Sequence, residues 1–154
     1  MDRDLGRLHW SPVLATALLV TALGVAHPAP AAAVAAQATC EGVPASMVGT
    51  AGDDALNGTA GVDTISLLGG NDMGNGLGGN DRICGDVGMD MLVGDTGNDR
   101  LFGGVGMDML EGGPDNDHLS GGVDDDTLDG GDGNDVCIGG PGYDTFDNCE
   151  RIVR

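Results

Sequence analysis

Lysine is absent from all 154 residues, and six arginines face 25 acidic residues, leaving a formal charge of -19. A chain with that balance has no basic patch to hold a phosphate backbone or an anionic lipid surface, so nucleic acid is not expected as a partner and anionic membrane surfaces are poor ones. No C-x2-C pair occurs, and beyond the N-terminal third His118 is the only histidine, so the spacing of a zinc site is missing. Neither H-E-x-x-H nor G-x-S-x-G is present, which removes the usual metalloprotease and serine-hydrolase constellations. No apolar run reaches the ~20 residues of an ordinary membrane-spanning helix.

The longest apolar run, Val13 to Ala26, follows a short polar stretch with Arg3 and Arg7 and precedes alanine-rich sequence containing Ala33-Val34-Ala35 and Val34-Ala35-Ala36. Residues 1–36 read as a secretory signal peptide cleaved at small residues, with an uncleaved anchor as the alternative. There is no twin-arginine pair, so the general secretion route is expected. The remaining chain keeps 23 acids and four arginines, and so carries the whole charge of -19. Acidic, glycine-rich chains usually stay disordered because they bury too little apolar surface. Here, however, the acids recur in phase.

From Gly49 to Asp147 the chain divides into eleven nine-residue units without an insertion or deletion, each with aspartate at its sixth position. These are Asp54, Asp63, Asp72, Asp81, Asp90, Asp99, Asp108, Asp117, Asp126, Asp135 and Asp144. Glycine holds the first position in ten units and the fourth in nine, marking sharp turns or backbone with positive φ. The first six residues of a unit are expected to form a loop and the last three a short strand. The eighth residue, apolar in ten units (Leu56, Ile65, Ile83, Leu92, Leu101, Leu110, Leu119, Leu128, Cys137 and Phe146), faces inward. Residues 85–102 and 103–120 are close copies, and Met73, Met91 and Met109 recur in every second unit, as do Arg82, Arg100 and His118. A coil of two such units, with two loops and two strands, stacks equivalent loops about 4.8 Å apart, close enough to share an ion.

The pattern G-G-x-G-x-D-x-U-x, with U apolar, resembles the repeats-in-toxin family of β-roll domains, and the resemblance covers the whole run from Gly49 to Asp147. It implies an all-β fold: a right-handed parallel β-roll, or β-solenoid, of about five and a half two-strand coils over residues 49–147, between an N-terminal cap segment (37–48) and a C-terminal cap or tail (148–154). It also implies calcium between one loop and the loop two units later, held by the sixth-position aspartates and loop carbonyls. Pairing each unit with the next but one allows nine sites, and hard oxygen donors of this kind suit calcium better than magnesium. The third unit departs from the pattern, with Leu67-Leu68 in place of glycines and Gly74 at the inward position, so its loop and core contribution are in question. Asp115 and Asp124 replace the fourth-position glycine and read equally as extra ligands or as solvated loop acids.

Four cysteines in an exported chain favour two disulfides. Cys149 falls in what would be a twelfth unit, stacked over the tenth with Cys137, which leaves Cys40 to Cys84. The expected protein is a secreted, extracellular calcium-binding protein whose roll folds on binding calcium. The core is too thin to offset ordering entropy of ~1–2 kcal/mol per residue without the ion. No enzyme is expected, because about 12 residues precede the repeats after cleavage and seven follow them. The alternative is a surface or matrix protein that uses the rigid roll as a scaffold and takes a protein partner on the Met73, Met89, Met91, Met107 and Met109 face, although repeat duplication by itself accounts for that recurrence. The opposite face carries Arg82, Arg100 and His118 with Phe102. Ice binding is not expected, since only Thr96 with Asn98 supplies the threonine and asparagine pair such a face needs.

Overall fold

The computed structural model describes residues 38–154, so the expected signal peptide lies outside the described residues. Among those residues every regular element is a strand, and there is no helix. After a short hairpin of β1 (Thr39–Cys40) and β2 (Val43–Pro44), alternate strands enter two facing parallel sheets. One sheet comprises β3 (Met47–Val48), β5 (Thr64–Ser66), β7 (Arg82–Val87), β9 (Arg100–Val105), β11 (His118–Val123), β13 (Val136–Ile138) and β15 (Arg151–Val153). The other comprises β4 (Ala55–Asn57), β6 (Met73–Asn75), β8 (Met91–Val93), β10 (Met109–Pro114), β12 (Thr127–Asp132) and β14 (Thr145–Asp147). The result is a β-solenoid of about six turns.

The two-unit register holds through the stack: Met73 pairs with Met91 and Met91 with Met109, while Arg82 pairs with Arg100 and Arg100 with His118. Such a register follows from the period-two alternation of the strands, because a slip by one residue would turn every inward side chain to solvent. Two strands of the parallel sheets, β3 and β15, lie outside the nonapeptide run. Met47 sits two repeat lengths before Ile65 and pairs with it, whereas Ile152 pairs with Cys137 at a shorter separation.

The expected six-residue loops are shorter than the sequence suggested. In β7, β9, β10, β11 and β12 the strand continues through the first three positions of the next unit, with Gly104 pairing Gly122 and Val105 pairing Val123. Stacking explains the difference. A bend at the second position, where Gly104 has φ 121° and even Asp86 has φ 72°, is repeated in the neighbouring turns, so pairing can resume beyond it.

The core is a single file of side chains from the two sheets: Ile65, Ile83, Leu92, Leu101, Leu110, Leu119, Leu128 and Cys137 are fully buried. The third unit contributes to it after all. A β-carbon on Gly74 would stand 2.9 Å from Ile83 Cγ2 and 3.1 Å from Leu67 Cδ1, because the Leu67 side chain has turned inward into the space that Gly74 leaves. Leu67 is fully buried, and Leu68 takes the bend at φ 75°. Leu67→Ala therefore removes the only large side chain that this unit offers the core. It is expected to cost the calcium-loaded roll ~2–5 kcal/mol in denaturant unfolding.

The Cys40–Cys84 disulfide fastens β1 to the outside of β7, and Cys40 and Cys84 are both buried there. The Cys137–Cys149 disulfide ties the last turn to the tail. Both pairings are the ones expected, Cys137–Cys149 from the stacking of units and Cys40–Cys84 as the pair that remained.

Candidate metal centre

Each sixth-position aspartate stands where a loop enters a strand, and stacking brings these residues into two columns. One runs through Asp54, Asp72, Asp90, Asp108, Asp126 and Asp144, the other through Asp63, Asp81, Asp99, Asp117 and Asp135. Within a column the backbone N–H of one aspartate donates to Oδ1 of the aspartate two units later. Asp81 to Asp99 is 2.7 Å, Asp90 to Asp108 2.9 Å and Asp99 to Asp117 2.8 Å. Nine such links join the eleven residues.

One carboxylate oxygen is thereby used, and the second is not. Oδ2 of Asp72, Asp81, Asp90, Asp99, Asp108, Asp117, Asp126 and Asp135 is buried without a hydrogen-bond partner. None of these residues is more than 4% exposed. A buried, unpaired carboxylate costs several kcal/mol, so eight of them stacked along one molecule demand neutralisation. The three remaining aspartates differ. Asp54 Oδ2 accepts from the Thr50 N–H (2.6 Å) and hydroxyl (2.9 Å), and Asp63 Oδ2 accepts from the Thr59 N–H (2.7 Å) and hydroxyl (2.9 Å). Asp144, in the last unit, is only half-buried. Threonine at the second position of the first two units is the signal that separates them, and it was visible in the sequence.

The first-position glycines show where the orphaned oxygens point. A β-carbon on Gly94 would lie 2.5 Å from Asp99 Oδ2 and 2.6 Å from the Gly112 carbonyl oxygen. Carboxylate and carbonyl of successive turns therefore flank one small volume that only glycine leaves open. The fourth position is equally tight, since a β-carbon on Gly97, at φ 130°, would overlap the Gly79 carbonyl. Asp115 and Asp124 hold the same left-handed backbone at φ 86° with exposed side chains, as solvated loop acids would.

Burial pushes the interior carboxyls up, and like-charged neighbours add to the effect. Asp99 rises to about 7, with Asp117, Asp81 and Asp95 contributing, and Asp108 also to about 7, with Asp90, Asp126 and Asp124 contributing. Asp117 and Asp126 rise to about 6 for the same reasons. Asp72, Asp81, Asp90 and Asp135 shift upward as well, again chiefly through burial.

Among the described residues no three His, Cys, Asp or Glu side chains converge on one point. An ion between two turns would instead draw a carboxylate oxygen from a turn and complete its shell with main-chain carbonyls. A hard, oxygen-only donor set of flexible geometry suits calcium, which accepts 6–8 oxygens, and the orphaned Oδ2 atoms supply the charge. The residues present thus fit the ion.

A second ladder holds the loops in register, and sequence reasoning passed over it. Asn80 Oδ1 accepts from the Asn98 N–H at 3.0 Å, Asn98 Oδ1 from Asn116 at 3.3 Å and Asn116 Oδ1 from Asn134 at 3.1 Å. Its signal was asparagine at the fifth position of the fourth, sixth, eighth and tenth units. Beside it run Arg82, Arg100 and His118, and the Arg82 guanidinium lies 5.9 Å from the Phe102 ring centre.

Stacked parallel turns with inward acid ladders define a cation-binding β-solenoid. The chain belongs to the RTX calcium-binding nonapeptide repeat family, whose four-copy model matches residues 48–83, 85–119 and 111–146. No curated protein and no solved structure gives a significant match to the chain. Membership points to calcium as the ion and to a structural, calcium-binding role for the repeats.

Proposed function

We propose that this chain is an exported calcium-binding protein whose roll folds when calcium enters the aspartate ladders. The observation that carries this reading is the set of eight buried Oδ2 atoms without partners. A core one side chain thick cannot compensate several kcal/mol for each unpaired buried charge, whereas divalent ions between the turns neutralise them. Asp54, Asp63 and Asp144 complete the ligand series at its ends, with weaker demand for an ion. Folding would then wait until the chain meets an extracellular calcium concentration, for which modules of this type bind at ~10⁻⁴–10⁻³ M. The two disulfides suit the same oxidising compartment.

The test is a calcium titration of the exported chain, read by circular dichroism and hydrodynamic size. Cooperative compaction is the expected outcome, and a chain equally compact in chelator overturns the reading. Export is checked separately: mass spectrometry of the secreted protein should find its N-terminus between about Ala32 and Ala38, in the small-residue zone. An intact Met1 would refute the leader assignment.

A scaffold role is supported by one further observation. Met73, Met89, Met107 and Met109 are each at least half exposed and Met91 is 39% exposed, all on one side of an otherwise acidic roll. Adaptable methionine surfaces of this kind serve protein partners.

A further inference from the structure

The family match ends at residue 146, and the last ladder aspartate in its column is Asp135. Yet the Asp135 N–H is not left open: it donates to Oε2 of Glu150 at 2.8 Å. In every interior turn that acceptor is the aspartate two units on, whereas here it is a glutamate that comes too early to keep the phase. The flanking contacts are reproduced too. The Arg151 N–H donates to the Asp135 carbonyl at 3.0 Å, as the His118 N–H does to Asp99 at 2.9 Å, and β15 continues the sheet beside β13. A β-carbon on Gly130 would collide with the Asn148 carbonyl oxygen and lie 2.8 Å from Asp135 Oδ2, the same pair of donor types that surrounds Gly94.

The tail therefore copies a turn with a shortened loop. Asn148 supplies the first-position carbonyl, bending at φ 47°, and Cys149 alone spans what four loop residues span elsewhere. The extra methylene of glutamate over aspartate makes up the reach that the shortened loop loses. The Cys137–Cys149 disulfide holds this short loop against the preceding turn.

We infer that the calcium ladder has a closing site beyond the nonapeptide repeats, formed by Asp135 Oδ2, the Glu150 carboxylate and the Asn148 carbonyl, and kept in shape by the Cys137–Cys149 disulfide. The acids alone would not define a site. What does is Asp135 Oδ2, an oxygen of a fully buried side chain, left without a partner beside the Asn148 carbonyl. A divalent cation here neutralises the last buried charge of the column and pins the exposed β15 edge, where a solenoid is most open to fraying. Because the disulfide positions two of the three donors, the site is also sensitive to reduction.

This inference rests on the proposed calcium binding, and the two can be separated by counting ions. Native mass spectrometry of the exported chain in calcium should be compared with E150Q, whose amide oxygen can still accept the Asp135 N–H but lacks the charge. E150Q should bind one ion fewer, with the other sites retained and with faster amide exchange confined to β13 and β15. A C137S/C149S double variant should lose the same single ion and no other. If E150Q holds as many ions as the parent, with unchanged exchange at the C-terminal turn, the closing site is refuted while calcium binding by the repeats stands. A parent that binds no calcium overturns both.

Discussion

In chelator at pH 8 the chain should lose its β signal and its radius of gyration should rise roughly two-fold, as for a chain passing from compact to unfolded. Millimolar calcium should reverse both changes cooperatively. The driving force is the stack of buried carboxylates, whose second oxygens have no partner within the protein. Protons can substitute for calcium, which makes the pH dependence diagnostic. Asp99 and Asp108 rise to about 7 in the metal-free roll, and Asp117 and Asp126 to about 6, all above the ordinary aspartate value of 3.8. The metal-free roll therefore binds more protons than the unfolded chain. Its stability is fully present below the unfolded value of 3.8 and is lost as pH rises through about 6 to 7. In chelator, then, structure should return on acidification from pH 8 toward pH 4. With calcium the trend is opposite: protons compete with the ion, so the calcium midpoint should increase as pH falls from 8 to 6. Chelated protein that stays equally unfolded at pH 4 and pH 8 would contradict this account.

Asp99→Ala should disturb the calcium-loaded roll far more than Asp54→Ala. Asp99 accepts the Asp81 N–H and donates its own N–H to Asp117, so it belongs to two inter-turn gaps. Its removal strands a buried N–H, at ~1–3 kcal/mol, and deletes an oxygen proposed to hold the ion between the neighbouring turns. Asp54 begins its column, and its carboxylate is engaged only by Thr50. Losing that half-buried contact should cost no more than ~1 kcal/mol. Denaturant unfolding at saturating calcium measures the difference, and a titration should show a higher calcium midpoint for Asp99→Ala than for Asp54→Ala. In a nearest-neighbour stack an interior break interrupts two interfaces and a terminal one only one. Equal effects of the two substitutions would mean that the turns do not communicate through the aspartate ladder.

Much of this was legible in the sequence because a solenoid makes periodicity and contact the same thing. Residues two units apart become neighbours, so spacing placed the two-unit coil, the inward leucines, the sixth-position aspartate columns and the Cys137–Cys149 pair, while the family resemblance implied the roll and Cys40–Cys84 was the pair that remained. What spacing could not show is which oxygens remain unused. Asp54 and Asp99 occupy the same repeat position, yet Thr50 satisfies one carboxylate and burial isolates the other, a distinction that depends on hydrogen-bond geometry. Leu67 looked like a defect because its position in the repeat belongs to glycine. Only packing in three dimensions shows its side chain filling the space beside Gly74. The same holds at the C-terminus, where Glu150 lies out of phase with every sixth-position aspartate in the run. Its reach, the shortened loop and the disulfide together bring it to the Asp135 amide, and no count of residues along the chain predicts that. Sequence by itself determined the repeat, its period and the acidic character of its sixth position, since those reside in residue type and order. Tertiary structure decided which carboxylates are left without a partner and how Glu150 meets Asp135, because both depend on what each oxygen finds within hydrogen-bonding distance.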